Sequence, residues 1–152
     1  MQASKRLTLR NRIVTIAMTL LAILVMATPV LANTSSWSFL AYYDRYYLNG
    51  KTNGVLHTMT AGALTISGTI KTTAIYGTPA GAQPWYFEVW KDGLISSKKC
   101  TAGPVAVPLS WNQTQSFSKA CGTITAGKYY LVIWRAAADN REVTGSGTLR
   151  TP

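Results

Sequence analysis

After residue 48 the sequence is a series of short runs rich in β-branched and aromatic residues, each bounded by turn residues such as Gly, Pro, Asn and Asp. None of the runs has apolar residues at the spacing of a helix face. The predicted strands are 55–59, 64–70, 85–90, 105–107 and 129–134. This pattern predicts an all-β antiparallel fold, a small β-sandwich of jelly-roll-like or Ig-like type, with a small barrel as the alternative.

Two of these runs are apolar on both faces. Residues 64–70 alternate between apolar and polar side chains, as in a strand with one solvent-exposed face. Residues 85–90 and 129–134 do not alternate, so we expect those strands to be covered on two sides or to present a row of aromatic rings. Asp92-Gly93 lies between two runs and predicts a tight hairpin. Residues 37–48 are ambiguous, and their residue types favour an N-terminal strand.

The first 32 residues differ from the rest of the chain and are typical of a secretory signal peptide. A basic segment precedes the apolar stretch 16–26, and Pro29 is followed by small residues that end at Ala32. We therefore predict cleavage after Ala32 and a single secreted domain over residues 33–152. The alternative is an uncleaved anchor, because residues 13–32 are just long enough to span a bilayer. The basic residues of the segment are Lys5, Arg6, Arg10 and Arg12.

Cys100 and Cys121 are the only cysteines of the chain, and both lie in the predicted secreted part. In an oxidising compartment such a pair is expected to form a disulfide. The bridge would close a loop of about 20 residues and add roughly 3 kcal/mol of stability in the chain-entropy model. The spacing fits neither a Cys-x-x-Cys redox motif nor a four-ligand zinc site.

The formal charge of +10 belongs partly to the predicted leader, which holds four of the fifteen basic residues and no acidic one. The remaining eleven basic and five acidic residues give the secreted part a charge of +6. These basic residues are scattered, which favours a solvated surface. The alternative is a cationic surface for an anionic wall polymer, membrane headgroups or nucleic acid. Nucleic acid ranks last, because an exported protein seldom meets it.

The secreted part offers few groups for acid–base catalysis, with five carboxylates and one histidine, His57. Glu88 lies on an apolar strand with Tyr86 and Trp90 on its own face, where a buried carboxyl could act as a general acid. A structural or ion-paired glutamate is the commoner case. No second carboxylate is evident for a glycosidase pair. We therefore predict no catalytic residues and no enzyme activity, and a small hydrolase using Glu88 or His57 remains an alternative.

The sequence also predicts neither a metal nor a cofactor. His57 and Met59 would project from one face of a strand, but a copper(I) site generally needs more ligands than this pair. The segment from Gly122 to Lys128 matches the first part of a phosphate-binding loop. Tyr129, however, stands where that motif requires Ser or Thr, and the segment leads into a strand instead of a helix.

All 16 aromatic residues follow the leader, more than the core of a small two-layer domain can hold. Some are therefore expected on the surface, where rings suit stacking on sugars and equally suit a membrane interface or a protein partner. The amides of Asn112, Gln113 and Gln115 are interleaved with them, as in sugar sites. The candidate ligand-binding aromatics are Trp37, Tyr42, Tyr43, Tyr46, Tyr47, Tyr76, Trp111 and Tyr129.

Together these features predict a small secreted bacterial protein that binds a partner and does not catalyse a reaction. The predicted partner is a cell-envelope glycan or an anionic wall polymer, on the basis of the aromatic excess and the +6 charge. The first alternative is an antimicrobial or toxin-like protein that acts on membranes.

Overall fold

The computed structural model describes residues 32–78 and 81–152. Apart from Ala32, the predicted signal peptide lies outside the described residues. Residues Ala32–Pro152 form one compact unit. Within the described ranges there is no helix with the length and hydropathy that crossing a bilayer requires.

Nine strands account for most of the described residues. They are β1 (Asn33–Ala41), β2 (Tyr47–Asn49), β3 (His57–Met59), β4 (Gly62–Ile75), β5 (Trp85–Lys91), β6 (Ser97–Val105), β7 (Thr114–Ile124), β8 (Gly127–Trp134) and β9 (Arg141–Thr151).

The strands form two antiparallel sheets. The first sheet has the order β1-β9-β4-β7 and the second has the order β2-β8-β5-β6. Strand β3 also pairs with β8, beyond the end of β2 and on the same edge, so β2 and β3 resemble one edge strand interrupted by residues 50–56. The predicted all-β antiparallel class is confirmed. The hairpin predicted at Asp92-Gly93 joins β5 to β6, through a longer loop over residues 92–96 than a tight turn would need.

The core lies where the apolar faces of the two sheets meet. Ile66 and Leu149 of the first sheet and Val89 and Leu131 of the second are all buried in one cluster. Rings from both sheets also contact each other, and the centroid of Phe87 in β5 lies 4.4 Å from that of Phe117 in β7. Burial of this apolar area is the main stabilising contribution to such a fold.

The disulfide between Cys100 and Cys121 is confirmed. It joins β6 to β7, the strands that end the second and the first sheet, with a Cα–Cα distance of 5.3 Å. It therefore links the two sheets covalently at one edge. A disulfide is consistent with an extracellular protein.

Residues 37–48 do not form the single strand that we predicted. Strand β1 ends at Ala41 and β2 begins at Tyr47, with a loop between them. The loop is held by the buried side chain of Arg135, whose Nη2 donates hydrogen bonds of 3.0 Å to the carbonyl oxygens of Tyr43 and Arg45. A tertiary contact from a distant part of the chain therefore overrides the local preference for a strand.

Two of the aromatics predicted to be exposed, Trp37 and Tyr129, are buried in the core. The Trp37 ring packs directly over the backbone at Gly68 and Gly147, where a Cβ on either glycine would overlap the ring. Tyr129 points inward from β8, and its hydroxyl donates a 2.6 Å hydrogen bond to the carbonyl oxygen of Thr125. The Trp37 ring fits in the interior because Gly68 and Gly147 have no side chains. The buried hydroxyl of Tyr129 is satisfied by the carbonyl oxygen of Thr125.

Candidate functional site

The outer face of the second sheet carries a group of aromatic rings. Side chains alternate along β5, so Phe87 and Val89 enter the core while Tyr86, Glu88 and Trp90 point outward. In the register with β8 these three lie directly opposite Trp134, Val132 and Tyr130. Directly opposite residues of antiparallel strands share a face. We call the six residues, together with Tyr46 and Tyr47 at the edge, the aromatic face.

The rings of the aromatic face form two cross-strand pairs. The Tyr86 and Trp134 rings are stacked with centroids 4.4 Å apart and an interplanar angle of 16°. The Trp90 and Tyr130 rings are also near-parallel, at 15°, with centroids 6.4 Å apart. Cross-strand aromatic pairs of this kind stabilise the sheet and hold each ring in one orientation.

Glu88 lies between the two pairs and is nearly buried. Its Oε2 accepts a 2.9 Å hydrogen bond from the indole nitrogen of Trp90, and its Oε1 accepts a 3.1 Å hydrogen bond from Lys98 Nζ. The ammonium group of Lys98 also lies 6.0 Å from the centre of the Trp90 ring. The carboxylate therefore fixes the position of one ring and one lysine of the face.

A groove of about 350 Å³ runs along the β2 edge of the aromatic face. Tyr46 and Tyr47 form its outer wall, and Trp134 and Trp90 border its other side. Val132 and Glu88 also line it, and both are buried although they belong to the outer face, because the larger neighbouring side chains cover them. The groove thus offers flat apolar surfaces and a few polar atoms, which is the composition typical of small-ligand sites.

A buried ion pair holds the tyrosine wall in place. The side chains of Arg135 and Asp139 are both fully buried and form a salt bridge. Burial lowers the pKa of Arg135, and the neighbouring Asp139 opposes that effect. The backbone N–H of Arg135 donates a 2.9 Å hydrogen bond to the carbonyl oxygen of Tyr46, and its guanidinium lies 4.9 Å from the Trp85 ring. The loop that carries Tyr46 is therefore anchored to the core.

Lys51 closes the other end of the aromatic face. Its Nζ lies 5.8 Å from the centre of the Tyr130 ring and 2.7 Å from Asp92 Oδ1. The hydrogen bond between the two raises the pKa of Lys51 and lowers the pKa of Asp92. Lys51 and Lys98, the two cations near rings of the face, are thus both paired with carboxylates.

The remaining candidate aromatics lie outside the aromatic face. Tyr42, Tyr43, Tyr76 and Trp111 are exposed, and the rings of Tyr43 and Tyr76 have centroids 4.9 Å apart. Trp111 donates a 2.7 Å hydrogen bond from its indole nitrogen to the carbonyl oxygen of Thr73. Of the eight candidates, the structure brings only Tyr46 and Tyr47 into the groove.

Sequence reasoning did not select four members of the aromatic face, namely Tyr86, Trp90, Tyr130 and Trp134. The signal was present, since the runs 85–90 and 129–134 are apolar on both faces and an aromatic row was one of the expected explanations. Only the register between β5 and β8 shows that the outward rings of the two runs meet.

The structure does not bring His57 and Glu88 together. His57 is opposite Tyr129 in the register and points into the core, whereas Glu88 lies on the outer face of the same sheet. Ser35 Oγ forms a 2.8 Å hydrogen bond with His57 Nδ1, and burial lowers the pKa of this histidine. Met59 is buried as well. Among the described residues no group of three or more His, Cys, Asp or Glu side chains is placed to hold a metal ion.

No known family model matches the chain, and no curated protein matches it in sequence. Solved structures that resemble it in part include the following two. One is the crystal structure of the Yersinia pseudotuberculosis-derived mitogen, with a TM-score of 0.38 and 11% identity over 78% of this chain and 86% of that one. The other is the structure of the infectious bursal disease virus Gx strain, with a TM-score of 0.39 and 14% identity over 78% of this chain and 33% of the viral chain. Similarities this low carry no information about function.

Proposed function

We propose that the protein is a secreted, non-enzymatic binding module that recognises a cell-envelope glycan through its aromatic face. The observation that carries this proposal is the groove at the β2 edge, where the exposed rings of Tyr46 and Tyr47 and the partly exposed rings of Trp90 and Trp134 lie beside the Glu88 carboxylate. The apolar faces of sugar rings stack on Tyr and Trp side chains, and sugar hydroxyls need fixed polar partners such as a carboxylate.

The charges near the groove favour a neutral glycan over an anionic wall polymer. Lys98 is held by Glu88, and Lys51 is held by Asp92. An anionic polymer would have to compete with these carboxylates for the two ammonium groups. A neutral sugar leaves both ion pairs intact and needs only the rings and the remaining hydrogen-bonding capacity of the carboxylate.

We further infer that the two sheets form a jelly-roll-like sandwich. When β2 and β3 are counted as one interrupted strand, the chain has eight strands, and most connections pass from one sheet to the other. That arrangement is the pattern of two interlocked Greek keys. In an Ig-like sandwich the first two strands share a sheet, whereas β1 and β2 lie in different sheets here. In this architecture a flat outer sheet face is available to a ligand.

The test is binding of residues 32–152 to insoluble peptidoglycan, to teichoic polymer and to a glycan array. We expect binding to at least one neutral glycan, with a loss of about tenfold or more in Trp134→Ala, the effect of removing one central aromatic. Trp111→Ala is the matched control, because that ring is exposed but lies outside the aromatic face. Absence of binding to every neutral glycan, binding to teichoic polymer alone, or equal losses in both variants would overturn the proposal.

A further inference from the structure

The loop between β5 and β6 carries two exposed apolar side chains at its tip. Leu94 is fully exposed and Ile95 is 91% exposed, more than any other large apolar residue among the described ones. Single exposed apolar residues are common on protein surfaces and need no explanation. Two adjacent apolar side chains at the tip of a hairpin loop, both almost entirely exposed to solvent, instead indicate a surface that contacts a membrane or another molecule.

Lysines surround the base of this hairpin. Lys51 Nζ reaches the loop from the segment after β2 and lies 3.3 Å from Ser96 Oγ, in addition to its ion pair with Asp92. Lys91 ends β5, and the carbonyl oxygen of Lys128 accepts a 2.9 Å hydrogen bond from the backbone N–H of Asp92. Lys98 lies on β6 opposite Trp90. Lys51, Lys91 and Lys128 therefore lie at the base of the apolar tip, whereas the ammonium group of Lys98 turns back toward Glu88.

Few carboxylates offset these lysines. Asp92 is the only acidic residue between Glu88 and Asp139 in the sequence, and it is already paired with Lys51. Glu88 is paired with Lys98, and Asp139 lies in the buried cluster with Arg135. Among the described residues neither Lys91 nor Lys128 forms a salt bridge. Lys91 Nζ donates a 2.7 Å hydrogen bond to the hydroxyl of Thr125, and Lys128 shares the single charge of Asp92 with Lys51, so the base of the hairpin keeps an excess of positive charge.

The other end of β6 provides an internal comparison. The loop from β6 to β7 also exposes two large apolar side chains, Leu109 at 66% and Trp111 at 65%. Its neighbourhood differs in charge, because Trp111 is bonded to Thr73, whose hydroxyl donates a 2.8 Å hydrogen bond to the carboxylate of Glu142. Only the hairpin end therefore combines apolar exposure with an excess of positive charge.

We propose that the β5–β6 hairpin docks the protein on an anionic lipid bilayer. Leu94 and Ile95 enter the boundary between headgroups and acyl chains, and the lysines at the base of the hairpin contact the lipid phosphates. Shallow insertion of apolar side chains together with attraction between lysines and anionic lipid is sufficient for peripheral binding. The lysine stems also cover apolar surface while their ammonium groups stay at headgroup level. This contact is independent of the glycan proposal, because it does not use the groove.

The test is flotation of residues 32–152 with vesicles of phosphatidylglycerol and phosphatidylcholine, compared with vesicles of phosphatidylcholine alone. We expect binding to the anionic vesicles only, and weaker binding at high salt. Leu94→Ser with Ile95→Ser should weaken binding about tenfold or more, from the loss of apolar burial. Lys91→Gln with Lys128→Gln should weaken it by about tenfold or more, and that difference should vanish at high salt.

The matched control is Leu109→Ser with Trp111→Ser, which removes two apolar side chains of similar exposure at the other end of β6 and should leave vesicle binding unchanged. Trp134→Ala should also bind vesicles like the unmodified protein, so failure of the glycan proposal and failure of this one are distinguishable. The proposal is wrong if the unmodified protein does not float with anionic vesicles, or if it floats equally with neutral ones. It is equally wrong if the control variant loses more binding than the hairpin variant.

Discussion

Asp139→Asn should destabilise the protein strongly, although the change preserves the shape of the side chain. Asp139 neutralises Arg135, and both side chains are completely removed from solvent. It also accepts hydrogen bonds from the backbone N–H groups of Gln83 and Arg141, at 3.0 and 3.2 Å. Asparagine retains one acceptor oxygen for these donors, but it leaves the buried guanidinium groups of Arg135 and Arg141 without the carboxylate that both contact.

The magnitude follows from the cost of an uncompensated charge in the interior. Removing one partner of a buried ion pair costs about 3–5 kcal/mol. The total stability of a domain of this size is about 5–15 kcal/mol, so the variant should lose a large part of it. For roughly 120 residues the loss corresponds to a decrease in Tm of about 10–20 °C. Because Arg135 also anchors the loop that carries Tyr46, glycan binding should weaken at temperatures where the variant is still folded.

The assay is urea unfolding at neutral pH, followed by tryptophan fluorescence, with the disulfide intact. Asp44→Asn is the matched control, because it makes the same chemical change at an exposed position of the anchored loop. The Asp44 carboxylate also raises the pKa of Arg135, but less than Asp139 does and from the surface, so its loss should cost no more than about 1 kcal/mol. Arg135→Met combined with Asp139→Leu should be less destabilised than the sum of the two single changes, since it removes both partners of the closest pair, although the guanidinium of Arg141, 3.7 Å from Asp139 Oδ2, also loses its carboxylate. A loss below about 1 kcal/mol in Asp139→Asn, or a loss equal to that of Asp44→Asn, would refute this account of the cluster.

Two further changes test the core. Gly68→Ala should lower the free energy of unfolding by about 1–3 kcal/mol, because its Cβ would overlap the Trp37 ring, whereas Gly81→Ala has open space and should be neutral. Thermal unfolding measures both, and equal Tm values would contradict the packing described for Trp37. Burial lowers the pKa of His57 below the value of 6.5 that it has in the unfolded chain. As the pH falls below 6.5, the histidine is therefore protonated in the unfolded state before the folded state, and the free energy of unfolding should decrease. Comparing the unfolding free energy at neutral and mildly acidic pH in the unmodified protein and in His57→Gln checks this, and an unchanged slope in the variant would assign the effect to another group.

The fold class and the disulfide could be predicted because each depends on a local or compositional signal. Turn residues separate the strands, and two cysteines in a chain with an export-like leader can form only one intramolecular disulfide. Strands β7 and β9 were missed, because their sequences are rich in Ser, Thr and Gly and have few of the Val, Ile and aromatic residues that mark a strand. Their glycines and small side chains instead accommodate the rings of Trp37 and Phe39, as at Gly147 and Gly145.

The position of the aromatic residues was less predictable than their number. Exposure of a ring depends on which face of its strand it occupies and on what lies opposite, and both follow from register. Trp37 and Tyr129 were expected at the surface but are buried. The outward rings of β5 and β8 looked like core residues, because their strands are apolar on both sides. Only the pairing of strands across the sheet shows which rings enter the core and which point outward.

The two proposed surfaces use different parts of the same sheet and do not compete for their ligands. The aromatic face lies on the side of the strands, whereas Leu94 and Ile95 lie beyond the ends of β5 and β6. Strands that stand on a bilayer through this hairpin would hold the groove upright above the membrane, exposed to polymers that lie above the lipid surface. Lys51 connects the two regions, since its ammonium group lies 5.8 Å from the centre of the Tyr130 ring and also holds Asp92 at the hairpin base. Because Asp92 is engaged by Lys51, the positive charge available to lipid phosphates comes mainly from Lys91 and Lys128, which form no salt bridge among the described residues.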